Sequence, residues 1–160
     1  MVHMMQQSVA NKELQYLKGS GFLALAIGLF FLTDSVRIVY FQYSNHSEII
    51  NLILNIIEGL FLLFMVVVLF KNLGAFTNVP SKTAWYGKFD DEYLNHTNLR
   101  GYQYAFNLAI ITLFIGMFAG DIWPDETSVV SLHIFCKTVF AISLLGYSFP
   151  VLKSLYDETD

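Results

Sequence analysis

Polar side chains that could hold a proton or an ion lie inside stretches of this sequence that are otherwise apolar. Asn51, Asn55 and Glu58 follow the spacing i, i+4, i+7, which predicts one polar stripe along a helix. Asp34 and Arg37 are three residues apart and would share a helix face. Carboxylate, guanidinium and amide groups in these patterns can bind one another or line a path for a proton or an ion.

A second set of ionisable residues lies near the C-terminus, where His133 and Lys137 are four residues apart. Asp34 and Glu58 would supply two negative charges, and Arg37 and Lys137 two positive ones. Because an isolated charge in hydrocarbon costs about 2.5–3.5 kcal/mol, we expect these groups to meet and cancel. The predicted cluster comprises Asp34, Arg37, Asn55, Glu58, His133 and Lys137, with Asn51 and Asp121 at its outer rim.

The composition places these residues in a membrane protein. Of the 160 residues, 55% are hydrophobic and only 14% are charged, which is too apolar for an ordinary soluble domain. Four stretches are long enough to cross about 30 Å of hydrocarbon as helices. They cover about 21–41, 49–70, 101–122 and 129–152. The sequence therefore predicts an all-α, four-helix transmembrane bundle, formed by a single domain over 1–160 and embedded in the lipid bilayer.

The basic residues outside the four spans predict the orientation of the chain. They lie only in the N-terminal segment, in the loop 71–100 and in the C-terminal tail. They are Lys12, Lys18, Lys71, Lys82, Lys88, Arg100 and Lys153. Because cytoplasmic loops are enriched in Lys and Arg, we expect both termini and the loop 71–100 to be cytoplasmic. Counted from the opposite, outer ends of the spans, the polar cluster would lie roughly 7–15 Å deep.

Several classes of function are disfavoured by what the sequence contains. The net charge of -4 offers no basic face for nucleic acid. The single cysteine, Cys136, cannot form an internal disulfide or a cysteine-rich metal site. We find no catalytic triad, phosphate-binding glycine loop or zinc-ligand spacing, so we expect no enzyme activity, no cofactor and no metal. Gly116 and Gly120 form a GxxxG motif, which predicts a close helix contact in an oligomer.

The loop 71–100 contains the segment WYGKFDDEYL, which begins at Trp85 and mixes aromatic with acidic residues. One interpretation is a short helix that lies on the inner leaflet, and the other is a solvated connector.

Three features of the sequence resemble the YqhA-like family of small bacterial and plastid membrane proteins. They are the run NIIEGLFLLFMVVVLFKNLGAF, the segment Trp85-Tyr86-Gly87-Lys88-Phe89-Asp90 and His133 early in the last span. The similarity covers about Asn51 to Leu145. The chain departs from the family at 71–74, where it lacks the usual glutamate, and around Asn95. The resemblance implies four helices in a bacterial inner membrane or a related organelle membrane, and it implies no activity.

These observations lead to two hypotheses about function. In the first, the protein is an ion, proton or small-solute transporter or channel, in which Glu58 and Lys137 exchange a proton and Asp34 and Arg37 anchor them. In the second, it is a non-catalytic accessory subunit of a larger membrane complex. Both hypotheses include partners in the membrane, either further copies of the chain or other subunits. The cluster could also serve only to fix the packing of the helices. The bacterial inner membrane is the expected location, and a eukaryotic organelle membrane is the alternative.

Overall fold

The computed structural model describes residues 2–43, 48–122 and 132–157, which are helical except at two short connections. The helices are α1 (Val2–Tyr43), α2 (Glu48–Asn78), α3 (Ser81–Tyr86), α4 (Glu92–Ile122) and α5 (Leu132–Asp157). The described residues contain no strand, so the all-α prediction is confirmed. Four helices, α1, α2, α4 and α5, are long and apolar enough to cross a membrane, and they contain the predicted spans as far as these are described.

The segment between the second and third spans is more helical than the sequence suggested. α2 continues to Asn78, and the restriction that Pro80 places on the residue before it favours the end of the helix there. α3 follows, and it is capped by Gly87, whose φ of 61° is left-handed. The Gly87 N–H donates to the carbonyl oxygen of Thr83 at 3.1 Å, a common way to close a helix. Of the two interpretations of the segment that begins at Trp85, the short helix is wrong in position. α3 ends one residue later, at Tyr86, and residues 87–91 are irregular.

α4 begins directly after an acidic capping residue. The Oδ1 atom of Asp91 accepts hydrogen bonds from the backbone N–H groups of Tyr93 at 2.8 Å and Leu94 at 3.2 Å. A carboxylate in this position satisfies N–H groups that have no partner within the helix. The irregular connection between α3 and α4 is therefore only five residues long, 87–91.

The long helices are not equivalent in their packing. α1 and α5 lie at the centre against each other, α2 packs against α1, and α4 packs against α5. The ring of Phe22 on α1 lies 6.5 Å from that of Phe64 on α2, and Asp34 on α1 meets Lys137 on α5. The first two spans of the chain therefore pair with each other, and so do the last two. The central contact between α1 and α5 joins the first and last helices of the chain.

One end of the bundle contains residues 11–20, α3 and the C-terminal part of α5, and we call it the terminal end. The most deeply buried core lies there. It is formed by Leu17, Phe89, Leu94, Val151 and Leu155. By contrast, α2 and α4 expose large apolar side chains, such as Phe70, which is 75% exposed, and Met117, which is 68% exposed. An apolar surface of this extent is suited to lipid rather than water. The fold is compatible with an integral membrane protein.

Candidate functional site

Asp34 on α1 is the centre of a charged cluster between three helices. Its carboxylate is buried, and Oδ1 accepts a hydrogen bond from Nη2 of Arg37, one turn further along α1, at 2.8 Å. Its other oxygen, Oδ2, accepts a hydrogen bond from Nζ of Lys137 on α5. Asp34 therefore binds two cations and connects α1 to α5.

Arg37 extends this cluster from α1 to α2. Its Nη1 atom donates to Oδ1 of Asn55 at 3.1 Å, and its Nε atom lies 3.3 Å from Oε2 of Glu58 in an ion pair. Asn55 in turn donates through Nδ2 to Oδ1 of Asn51 at 3.4 Å. The polar stripe expected on the second span is thus joined to α1 through one guanidinium group.

The four charges alternate along the cluster in the order Lys137, Asp34, Arg37, Glu58. Each ion therefore faces an opposite charge, and the formal charges sum to zero. Both properties offset part of the cost of moving these charges out of water. Their side chains range from 11% exposed for Asp34 to 31% for Arg37. The cluster therefore lies at the edge of the α1–α2–α5 packing rather than fully within it.

Glu58 is the least tightly held member of the charged cluster. Its Oε1 atom is buried and accepts no hydrogen bond from any residue that the structure describes. Its Oε2 atom faces Nε of Arg37 at ion-pair distance, but that Nε also lacks a hydrogen bond within the described part of the chain. Asp34 holds two cations through direct hydrogen bonds, whereas Glu58 has one ion pair.

The pairing within the cluster differs from the expected one. Lys137 binds Asp34 and Glu58 faces Arg37, so no ion pair joins Glu58 directly to Lys137 in the described chain. His133 is also left out of the cluster. It is exposed one turn before Lys137, and no hydrogen bond or ion pair joins it to another described side chain. The other predicted members, including Asn51, are brought together.

The GxxxG motif on α4 lies partly outside the described side chains, which do not include those of Gly120 and Asp121. Gly116 faces α5 of the same chain, since a Cβ atom built there would lie 2.2 Å from Cε2 of Phe135. Its small size therefore permits a close contact within the chain. A contact between chains at this motif stays a prediction.

A second polar centre, not anticipated from the sequence, lies at the terminal end. The side chain of Glu13 on α1 is fully buried. The backbone N–H of Asp90 lies 3.2 Å from its Oε1 atom and 3.0 Å from Oε2, and the Thr83 hydroxyl donates to Oε1 at 3.1 Å. Glu13 therefore anchors the connection between α3 and α4 onto α1. Its position four residues before the apolar Leu17, on the same helix face, is the one local sign of its burial.

The described residues contain no group of three or more His, Cys, Asp or Glu side chains that could hold a metal ion. The one cysteine, Cys136, is exposed on α5. The carboxylate, guanidinium and ammonium groups of the charged cluster can exchange protons and ion-pair partners.

Comparison with protein families, with curated proteins and with solved structures finds no match to this chain. The resemblance to the YqhA-like family stays a prediction.

Proposed function

We propose that this chain is a non-enzymatic integral membrane protein that carries protons through the charged cluster, with Glu58 as the group that gains and loses the proton. The observation that carries this proposal is the unequal binding of the two carboxylates. Asp34 is held by two cations, whereas Glu58 has one ion pair at 3.3 Å and a buried Oε1 atom without a donor in the described chain.

The order of charges explains how a proton could be exchanged without breaking the cluster. When Glu58 takes a proton, Arg37 keeps its hydrogen bond to Asp34, and Asp34 keeps Lys137. α1 and α5 would therefore remain joined while the link between α1 and α2 weakens. Ionisable residues that face a bundle interior often mark proton paths. In this arrangement Glu58 can be protonated while the other ion pairs of the cluster stay intact.

Proton flux in liposomes tests the proposal. The purified protein is reconstituted with a pH-sensitive dye inside the vesicles, and a potassium diffusion potential drives proton entry. We expect the wild type to acidify the lumen and Glu58→Gln to match protein-free vesicles, because the amide cannot take up a proton at physiological pH. Glu48→Gln, the same change at the exposed start of α2, is the control and should behave as the wild type. Wild-type flux equal to that of empty vesicles contradicts the proposal.

A second candidate function is a subunit that binds another membrane helix. Asn55 favours this candidate, because its side chain is exposed although it lies in the polar cluster on an otherwise apolar helix. A polar amide facing lipid is unfavourable unless a neighbouring chain covers it. Absence of flux, together with a membrane partner or second copy that is lost in Asn55→Leu, would favour the subunit. In either case we propose the bacterial inner membrane as the location, on the basis of the resemblance described above, with an organelle membrane as the alternative.

A further inference from the structure

A cavity of about 310 Å³ lies at the terminal end, between α1, α3, α4, α5 and the connection that follows α3. This volume is within the range of small-molecule sites. The cavity is separate from the charged cluster, none of whose residues line it. Along α5, Ser143 in the cavity wall is six residues from Lys137, which corresponds to roughly 9 Å.

One part of the cavity is rich in hydroxyl and amide groups. The Tyr147 hydroxyl donates to Oδ1 of Asn98 at 2.7 Å, and Nδ2 of Asn98 donates to the carbonyl oxygen of Gly87 at 3.0 Å. The ring of Tyr102 lies 5.2 Å from that of Tyr147. No hydrogen bond joins Tyr102 to another residue in the described ranges, so its hydroxyl is available to a bound molecule.

The wall formed by the connection is held in place before any ligand binds. Glu13 binds Thr83 and Asp90 on either side of Gly87. A side chain at Gly87 would be strained at its φ of 61°, and its Cβ atom would lie 2.7 Å from Nδ2 of Asn98. A preformed wall reduces the ordering cost of binding.

The remaining lining selects the chemical class of ligand. No Asp, Glu, Lys, Arg or His side chain is among the described residues that line the cavity, so nothing there would balance a charged ligand. Ala24, Phe140 and Leu144 supply an apolar surface beside the hydroxyl groups. The aromatic rings of Tyr102 and Tyr147 can contact a flat ring.

From these observations, we propose that this cavity binds an uncharged, membrane-soluble ring compound that carries oxygen atoms for hydrogen bonding, the chemistry of a quinone or quinol. The Tyr102 hydroxyl donates to a ring oxygen, the tyrosine rings contact the flat face, and the apolar substituent of the ligand lies towards Phe140 and Leu144. The proposal concerns binding alone. It is independent of proton movement through Glu58.

Equilibrium binding of radiolabelled decylubiquinone to the full chain in phosphatidylcholine nanodiscs tests this proposal, with empty nanodiscs subtracted. We expect saturable binding of one molecule per chain. Tyr102→Phe should weaken it about fivefold, as the loss of one hydrogen bond would. Ala105→Phe, which fills the cavity from α4, should abolish binding. Tyr104→Phe makes the same change as Tyr102→Phe on the same helix but outside this cavity, and should bind as the wild type does.

Competition identifies the class of ligand. Unlabelled decylubiquinol should displace the label, whereas dioctanoylglycerol, which is neutral but has no ring, and the anionic phosphatidylglycerol should not. Thermal unfolding without ligand verifies that each variant is folded. The proposal is overturned by the absence of saturable binding, by unchanged binding in folded Ala105→Phe, or by displacement with either lipid.

Discussion

Asp34 connects the charges of three helices, although its own chain neighbours are Thr33 and Ser35. Both carboxylate oxygens are occupied, one by Arg37 on the same helix and one by Lys137 on α5. Removal of its charge would leave Lys137 without an opposite charge in a region of low polarity, whereas Arg37 would keep Glu58. Loss of one partner from a buried ion pair is more costly than replacement of the whole pair by apolar groups.

We therefore expect Asp34→Asn to lower the free energy of unfolding by about 2 kcal/mol. The double variant Asp34→Asn with Lys137→Met should recover part of this loss, since Arg37 and Glu58 then remain as one neutral pair. Thermal unfolding of the purified chains in detergent measures both effects. A double variant less stable than Asp34→Asn alone would show that the Lys137 charge is not satisfied chiefly by Asp34.

Glu13 supplies a second prediction for a single residue. Its carboxylate oxygens accept hydrogen bonds from the Asp90 N–H and the Thr83 hydroxyl. Glu13→Met removes both acceptor oxygens and leaves the Asp90 N–H that faces them without an acceptor, and a buried polar group without a partner costs about 1–3 kcal/mol. We expect a loss of this size, and faster proteolysis of the α3–α4 connection under native conditions. Glu92→Met, the same change at the exposed start of α4, is the control and should leave both measurements unchanged.

Among the helices, small residues decide how closely α4 and α5 approach. A Cβ atom at Gly146 of α5 would lie 2.6 Å from Cδ1 of Leu108 and 3.3 Å from the backbone of α4 at Ala105. A Cβ atom at Gly101 would lie 2.6 Å from Cγ2 of Val151. By contrast, Gly59 on α2 has open space where its side chain would be. These glycines therefore have different roles although all lie within helices.

We expect Gly146→Ala to destabilise the protein by about 1–3 kcal/mol, because the Leu108 side chain must move and the backbone of α4 must shift slightly to admit the methyl group. Gly59→Ala should be neutral or stabilising by up to about 1 kcal/mol, because alanine is the better helix former. The comparison is made by thermal unfolding in one detergent. If the two variants behave alike, α4 and α5 do not pack as closely as the structure places them.

The helices also show where local patterns predicted structure and where they did not. Hydrophobic stretches predicted the four spans because length and composition alone decide whether a helix can cross a bilayer. They did not predict the continuation of α1 back to Val2 or of α2 to Asn78. The polar residues in these extensions do not follow a hydrophobic pattern that would predict a span. Glu13, in the extension of α1, is buried only because α3 folds against α1 and places Thr83 beside it.

In the whole molecule, the antiparallel packing of α1 and α5 brings the N- and C-terminal parts of the chain to the same end. Gly21 of α1 lies beside Leu152 of α5 at this terminal end. The basic residues outside the spans occur in the segments that meet there, and they predict that this end is cytoplasmic.

Cysteine labelling tests this orientation. In a Cys136→Ser background, single cysteines replace Lys12, Glu48 or Lys153, and intact bacterial cells are treated with a membrane-impermeant maleimide. We expect Glu48→Cys to react in intact cells, and Lys12→Cys and Lys153→Cys to react only after permeabilisation. Reaction of Lys12→Cys and Lys153→Cys from opposite sides would be incompatible with the packing of α1 against α5.

Composition and residue spacing were enough to predict that the chain is helical and apolar, and which polar residues share a helix face. These properties depend on composition and on spacings of three or four residues. The pairing of Lys137 with Asp34 rather than Glu58 was visible only in the packed helices, because it depends on the rotation and register of two helices whose paired residues are 103 positions apart. The same applies to the hydroxyl-lined cavity, which takes its residues from α1, α3, α4, α5 and the α3–α4 connection. The sequence pattern of one segment does not predict which other segments pack against it.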